Sequence, residues 1–260
     1  MPPAHLVAVS LSTGRAFLVA LAGLGAGIVN GVAGGGTMVS FPALLGLGYP
    51  ALTANMTSTV GIWPGYVGGV TGFRAEVTTQ RDRIVWLLPA TVLGAAGGAA
   101  LLLTTSQRLF ARLAPWLVVA ATVLFALQPL LARLLRDVSH EHRTRRVLVH
   151  GGTFVTSLYG GYFGAGMGVI MLAVFGVALP DTIMRTSGLR AALSLIVNAL
   201  AALIFMARGT LAWEAVGLLA IGSLLGGWIG STTARRIPAM LLRVVIIGIG
   251  AATAAKLLAG

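Results

Sequence analysis

Apolar stretches long enough to cross a membrane recur along this chain, and they restrict its fold more than any other feature. A spanning helix needs about 20 mostly apolar residues. Before an arginine-rich stretch, an apolar window finds segments at 15–33, 37–48, 52–73, 83–103 and 112–133. After it, the window finds segments at 147–163, 167–179, 182–207, 211–232 and 239–258. We therefore predict an all-α polytopic membrane protein, in which the second segment of each half is too short to span.

Composition and charge agree with burial in lipid. The chain is 57% hydrophobic and only 9% charged, which is too apolar for a soluble domain. Its formal net charge of +12 comes mostly from arginines that lie between apolar segments. The densest group is Arg133, Arg136, Arg143, Arg145 and Arg146. Such loops are typically held in the cytoplasm, so we predict a basic cytoplasmic linker at 136–146 and no nucleic-acid partner.

The two halves share an ungapped repeat at an offset of 130 residues. GVAGGGTMVSFPALLGLGYP, from Gly31, aligns with GYFGAGMGVIMLAVFGVALP, from Gly161, and five of the seven identical pairs are Gly or Pro. Coincident glycines, prolines and segment ends indicate a duplication. We assign residues 1–135 and 147–260 to two homologous repeats.

Counting segments predicts how the repeats are oriented. Five segments per repeat are an odd number, so the second repeat would enter the membrane from the opposite side. With the linker inside, Arg74, Arg81 and Arg83 also lie inside, as the positive-inside bias favours. If each short segment is instead re-entrant, each half has four crossings, and Arg235 and Arg236 move outside. We favour the inverted arrangement, and the choice between eight and ten segments stays open.

Clusters of glycine precede the short segment of each repeat, at 34–36 and 164–168. Because glycine weakens a helix by about 1 kcal/mol relative to alanine, we expect each helix to break there. The N-terminus of the following half-helix presents unpaired N–H groups with positive dipole character, which suits an anion. The alternative is that the glycines only permit close helix packing, as Gly27-x-x-x-Gly31 does. Equivalent breaks in both repeats favour a binding site.

Arg190 is the candidate charge of that site. If its helix begins near Asp181, taken as the N-cap, Arg190 lies about 13 Å along the axis, in a hydrocarbon core about 30 Å thick. A charge at that depth costs about 3 kcal/mol on insertion scales. No acidic residue is obviously placed to neutralise it, so a transported anion could be its partner. The alternative is an arginine that snorkels to the interface, which suits Arg185 better.

Polar residues accompany Arg190 at three- or four-residue spacing, so they share one helix face. The related stretch of the first repeat carries neutral donors and acceptors suited to an oxyanion, or to capping a helix start. The predicted substrate-binding residues are Asn30, Gly34, Gly35, Gly36, Thr37, Asn55, Thr57, Ser58, Gly164, Gly166, Thr186, Ser187, Arg190, Ser194 and Asn198.

Other chemistries lack a pattern in the sequence. The six acidic residues fall in loops or at segment ends, and no cluster of His or carboxylates has metal-ligand spacing. There is no Walker motif and no Ser/His or paired-carboxylate constellation within the membrane. We therefore expect no metal, no cofactor and no enzymatic activity.

The glycine-rich motifs resemble the sulfite exporter TauE/SafE family of membrane permeases. The resemblance rests on GVAGGGTMVSFPALLGLG at 31–48, Ala54-Asn55-Met56-Thr57, and GGYFGAGMGVIML at 160–172. It implies that the glycine breaks, the 55–58 region and the 190–198 stripe line a pathway. The second copy departs from the first, because Arg185-Thr186-Ser187 stands where Asn55-Met56-Thr57 does.

Family resemblance also implies a function. It suggests export of sulfite or a related organosulfur anion across the plasma membrane of a prokaryote. Together with the two predicted repeats, it leads us to expect alternating access by movement of one repeat against the other. An anion channel or a facilitator for another small anion is the alternative. The expected partners are a small anionic substrate and the lipid bilayer. The substrate, coupling ion, direction of transport and oligomeric state, including a homo-oligomer, stay open.

Overall fold

A computed structural model of the chain describes residues 12–32, 34–134, 142–179, 181–233 and 239–259. Every regular element within these ranges is a helix, which confirms the predicted all-α class. The first half forms α1 (Thr13–Val32), α2 (Thr37–Gly46), α3 (Ala51–Gly72), α4 (Arg74–Thr78), α5 (Arg81–Thr104) and α6 (Gln107–Leu134). The second half forms α7 (His142–Tyr162), α8 (Met167–Ala178), α9 (Ile183–Arg208), α10 (Trp213–Thr233) and α11 (Ala239–Ala259).

The helices follow the predicted segments, with differences at their ends. Helix α4 was not predicted, because a five-residue helix is too short for an apolar window. Helices α6 and α7 each begin five residues before the predicted apolar run, at 107 and 142 instead of 112 and 147. Backbone hydrogen bonds continue a helix beyond its apolar part. Helix α7 thus enters the predicted linker, of which residues 136–141 lie outside the described residues.

Five helices of the described chain are long and apolar enough to cross a membrane, judged by length and composition. They are α1, α5, α9, α10 and the Gln107–Gln128 part of α6. Helix α3 is of similar length but buries a polar series that includes Asn55, Thr57 and Ser58. The apolar helices support a multi-pass membrane protein.

Close seams of small residues join helices from different halves of the chain. On α1, a Cβ added to Gly27 would lie 2.7 Å from the Gly227 backbone nitrogen of α10. One turn later, a Cβ on Gly31 would lie 2.8 Å from the Ser231 nitrogen. The contacts advance in the same direction on both helices, so α1 and α10 pack in parallel. At these two positions the glycines do permit close packing, as the Gly-x-x-x-Gly pattern predicts.

Helices α5 and α7 form a second parallel pair. A Cβ on Gly94 would lie 3.0 Å from the Leu158 nitrogen, and one on Gly98 would lie 2.9 Å from the Tyr162 nitrogen. The partner again moves forward by one turn along α7 as the glycine moves forward along α5. Each half therefore contributes one helix to each parallel pair.

Polar contacts place the helix ends. At one end, Arg83 pairs with Asp181 at 2.6 Å, and Gln80 donates to the Arg185 carbonyl at 2.9 Å, so α5 and α9 begin together. At the other end, the Leu52 N–H donates to the Gln107 side chain at 3.2 Å, so α3 and α6 begin together.

Asp181 takes part in the first contact as an ion-pair partner rather than as the predicted N-cap, and that prediction was wrong. The N-cap of α9 is Thr182, whose hydroxyl accepts from the Arg185 N–H. Arg185, predicted to snorkel, lies 3.1 Å from the Asp181 carboxylate. Burial raises the pKa of Asp181, but hydrogen bonds from Arg83 and Thr182 and the charge of Arg185 lower it, and the net shift is downward.

The two short helices lie within the bundle. Helix α2 packs on α1, α3 and α11, and α8 packs on α7, α9 and α6. Phe41 of α2 meets Phe163, just past the end of α7, edge to face with ring centroids 5.3 Å apart. It also meets Phe110 of α6, at 6.4 Å. This packing holds the N-termini of α2 and α8 in the interior.

Candidate functional site

Each half of the chain contains a break between a long helix and a short one. Helix α1 ends at Val32 and α2 begins at Thr37, and Gly34 between them has φ +74°. Helix α7 ends at Tyr162 and α8 begins at Met167, with φ +79° at Gly164. Residues with a Cβ avoid these left-handed angles, so glycine lets the chain reverse within a few residues. The glycines at 34–36 and 164–166, predicted as substrate-binding residues, thus form two tight interior reversals.

The two breaks touch each other. The backbone N–H of Gly168, in the first turn of α8, donates to the Gly34 carbonyl at 3.2 Å. A Cβ on Gly164 would lie 3.6 Å from the hydroxyl oxygen of Thr37, which opens α2. Predicted site residues from the two halves of the chain therefore meet in one interior region.

Asn30 supports the first break from within α1. Its side-chain oxygen accepts a hydrogen bond from the Gly36 N–H at 2.7 Å, while its amide nitrogen is buried without a partner. No hydrogen bond between described residues uses the backbone N–H of Gly35, Ala165 or Gly166. Donors without acceptors in a buried region are the groups that an anion can satisfy.

Arg190 of α9 extends into the first break. Its residue surface is only 1% exposed, and it lies seven residues after Ile183, which is about 10 Å along the axis. A Cβ on Gly34 would collide with its terminal nitrogen Nη1 and would lie 3.4 Å from its Cζ. The guanidinium thus occupies the space that the missing side chain of Gly34 leaves free.

The charge of Arg190 has no counter-ion among the described residues. The ion pairs found there both involve Asp181, with Arg83 and with Arg185, near the start of α9. The Nε of Arg190 is buried without a hydrogen-bond partner. An unpaired buried cation is costly, and structures that retain one usually supply it with an anionic ligand or a function.

The other polar residues of α9 differ in their contacts. Asn198 donates to the Ser194 carbonyl at 2.9 Å, and the Ser194 hydroxyl lies 3.7 Å from the sulfur of Met171 in α8. Thr186 donates to backbone carbonyls of its own first turn, and Ser187 is only half-buried. The buried polar stripe therefore comprises Thr186, Arg190, Ser194 and Asn198, and the hydrogen bonds of Thr186 stay within its own turn.

The predicted residues of α3 join helices to one another. Asn55 donates to the Tyr162 carbonyl at the end of α7, at 2.9 Å, while its side-chain oxygen stays without a partner. The Thr57 hydroxyl accepts from the Ala212 N–H at 3.1 Å. Ser58 and Ser40 share a hydrogen bond of 2.6 Å. Since α3 begins at Ala51, these residues do not cap the start of their own helix.

Two residues of this region, Phe125 and Tyr66, were not among the predicted site residues. The ring of Phe125, from α6, fills the space beside Gly35 and lies 3.7 Å from where a Cβ on Gly166 would be. Tyr66 of α3 has a buried hydroxyl without a hydrogen-bond partner, close to the Asn198 amide and within electrostatic reach of Arg190. Neither residue stands out from its apolar neighbours along the sequence, so only packing identifies them.

Several proteins that are similar in sequence to this chain are described as probable membrane transporters. The chain is 26% identical over 255 residues to the probable membrane transporter protein YfcA of Escherichia coli K12, covering 95% of this chain and 90% of that protein. It is 25% identical to a probable membrane transporter protein of Haemophilus influenzae, covering 86% and 87% of the two chains. A probable membrane transporter protein, ORF9, from Sinorhizobium sp is 26% identical, over 90% and 88%. No solved structure matches the chain.

A helical membrane protein with a buried cation between two interrupted helices, and with these relatives, is a membrane transporter. The family model described as sulfite exporter TauE/SafE matches residues 19–257. The chain therefore belongs to the TauE/SafE family, as its glycine-rich motifs suggested.

Proposed function

We propose that this transporter carries a small sulfur-containing oxyanion, such as sulfite or an organosulfonate, bound between Arg190 and the two glycine breaks. The observation that carries the proposal is Arg190, a 1%-exposed cation without a counter-ion among the described residues. An oxyanion in contact with its guanidinium would supply the missing charge and acceptors.

Backbone donors at the same place suit the remaining oxygens of such an anion. The N–H groups of Gly35, Ala165 and Gly166 are used by no hydrogen bond between described residues. Glycine at positions 35 and 166 lets a ligand approach the backbone closely. The ring of Phe125 covers one side of the breaks and would exclude water from a bound anion.

The packing also supports inverted repeats and alternating access. At the offset of about 130 residues, α1 corresponds to α7 and α5 to α10. The parallel pair of α1 with α10 then corresponds to the parallel pair of α7 with α5. In the same way, α3 packs on its counterpart α9, and α6 packs on its counterpart α11. A pseudo-two-fold axis that inverts one repeat onto the other produces this exchange of partners. Movement of one repeat against the other would open the site to each side in turn.

We propose export from the cytoplasm across a prokaryotic plasma membrane, as the description of the matching family suggests, with the end where α5 and α9 begin facing the cytoplasm. Arg74, Arg81 and Arg83 lie around the end where α5 and α9 begin, and Arg108 and Arg208 lie at the other end. The helix that follows the linker, α7, is parallel to α5 and so begins at the same end as these three arginines. The positive-inside bias assigns that end to the cytoplasm.

The test is transport by the purified chain in liposomes. We would measure uptake of sulfite and of methanesulfonate under an imposed membrane potential, with protein-free liposomes as the blank for leakage. Arg190→Gln removes a charge-assisted contact of about 1.5–3 kcal/mol, so we expect transport efficiency to fall about tenfold to a hundredfold. Arg208→Gln, an exposed site on the same helix, is the matched control.

The outcomes separate the candidate functions. Saturable, potential-sensitive uptake that depends on Arg190 supports the proposed carrier. Flux that does not saturate and shows no counterflow supports an anion channel instead. No protein-dependent flux of either anion from folded protein would refute the proposed substrate class.

A further inference from the structure

We propose that the protein works as an exchanger of monovalent anions, in which the return of the empty carrier is the slow step. The inference rests on the proposed function. It adds that an anion must normally occupy the site in both directions, so that one anion leaves as another enters.

The net charge of the site is close to that of one arginine. Each break joins the C-terminal end of a long helix to the N-terminal end of a short one, so the opposite partial charges of the two helix ends largely offset each other. Among the described residues, Tyr66 is the titratable group that lies within electrostatic reach of Arg190, and its phenol is ordinarily neutral. One monovalent anion therefore neutralises the site, whereas a divalent anion leaves a buried negative charge.

No described carboxylate can replace the anion. Asp82, Asp181 and Glu214 lie at helix ends, and Asp181 is paired with Arg83 and Arg185. Glu76 packs beside Gly188, two residues before Arg190 in α9, but forms no ion pair with Arg190. Among the described residues, therefore, no ionised carboxylate pairs with Arg190 to neutralise its charge when the site is empty.

Arg190 also sits where the repeats would move past each other. It belongs to α9 of the second repeat, its guanidinium rests on Gly34 of the first, and the Gly34 carbonyl is hydrogen-bonded to Gly168 of the second. A change of access must rearrange these contacts. With an anion bound, a neutral pair passes through the change, whereas the empty carrier exposes an unpaired charge to a low-dielectric interior. The empty return should therefore be slower.

Exchange and net uptake can be compared in the same proteoliposomes. Vesicles are loaded with unlabelled methanesulfonate, which keeps a single negative charge at working pH, or with gluconate as a bulky replacement. Uptake of radiolabelled methanesulfonate is followed with the membrane potential clamped by valinomycin and equal potassium, and labelled sulfite is run in parallel. We expect internal methanesulfonate to accelerate uptake by about tenfold or more.

Membrane potential provides a second readout. One-for-one exchange of monovalent anions moves no net charge, so an imposed potential should leave its rate nearly unchanged, while net uptake should respond. Arg190→Lys keeps the charge and should keep the preference for exchange. In Arg190→Gln, residual uptake should be similar in the two modes, because no unpaired charge delays the empty carrier. Arg208→Gln should match the wild type.

The ratio of the exchange rate to the net uptake rate in the wild-type protein tests the exchanger even if the Arg190 variants fold poorly. Equal rates with and without internal anion would overturn the exchanger while leaving the proposed transporter intact. Absence of protein-dependent uptake in both modes would overturn the transporter, and the exchanger with it. Rapid exchange with slow net uptake would support both.

Discussion

Gly34→Ala tests whether the Arg190 guanidinium must occupy the space beside Gly34 for the anion to bind. The substitution places a Cβ on the Arg190 Nη1 and 3.1 Å from the Gly168 Cα. It also imposes φ +74° on an alanine, which costs about 1–2 kcal/mol. The guanidinium must therefore move away from the break, and the contact between the two breaks must loosen.

Gly166→Ala separates the two effects. Gly166 has nearly the same angle, φ +77°, but its Cβ would find its nearest neighbours at 3.7 Å, an ordinary contact distance. Both variants should lose about 1–2 kcal/mol of stability from backbone strain. Displacing Arg190 in Gly34→Ala should remove a further contact to the anion of about 1.5–3 kcal/mol, or about tenfold to a hundredfold in apparent affinity.

The assay combines thermal unfolding in detergent with the concentration dependence of methanesulfonate uptake in liposomes. We expect Gly34→Ala to melt at or below the melting temperature of Gly166→Ala and to raise the apparent KM more than Gly166→Ala does. If both variants bind the anion with wild-type affinity, Arg190 does not act from its place beside Gly34. If both lose affinity equally, strain in the breaks matters and the position of Arg190 does not.

Three further predictions concern stability. Gly98→Ala should destabilise the protein by about 1–3 kcal/mol, because the added Cβ would collide with the Leu158 backbone. The control is Gly97→Ala at the exposed neighbouring position, where the added Cβ would lie 3.9 Å from the nearest atom and should cause no such loss. Thermal unfolding of the two variants in detergent compares their stabilities. Gly46→Ala, exposed in α2 with open space around it, should be neutral or stabilising by about 0.5–1 kcal/mol and should leave transport unchanged; a loss of flux would show an unrecognised role. Asp181→Asn should lower the free energy of unfolding by about 1 kcal/mol at neutral pH, because it removes the ion pair with Arg83. This difference in stability from wild type should vanish as the pH falls through the lowered pKa of Asp181, below the ordinary value of 3.8. A difference that persists in acid would contradict a stabilising ion pair with Arg83.

Much of this protein's local structure follows from neighbouring residues alone. Long apolar runs determined the helices, because lipid leaves the backbone no other partner than itself. Glycine clusters determined the breaks at Gly34 and Gly164, because only glycine reaches these angles at little cost. Arg190 was identifiable because a charge within an apolar helix is expensive wherever that helix lies.

Only the tertiary structure decided which of these pieces meet. Arg190 lies against Gly34, 156 positions earlier in the chain, and Phe125 lies beside Gly35. Conversely, packing assigns Asn55 and Thr57 to contacts between helices, at Tyr162 and Ala212, although their polarity had suggested a binding site. Propensity and hydropathy depend on adjacent residues, whereas these contacts depend on how separate helices pack, and many pairings of apolar faces are equally compatible with one sequence pattern.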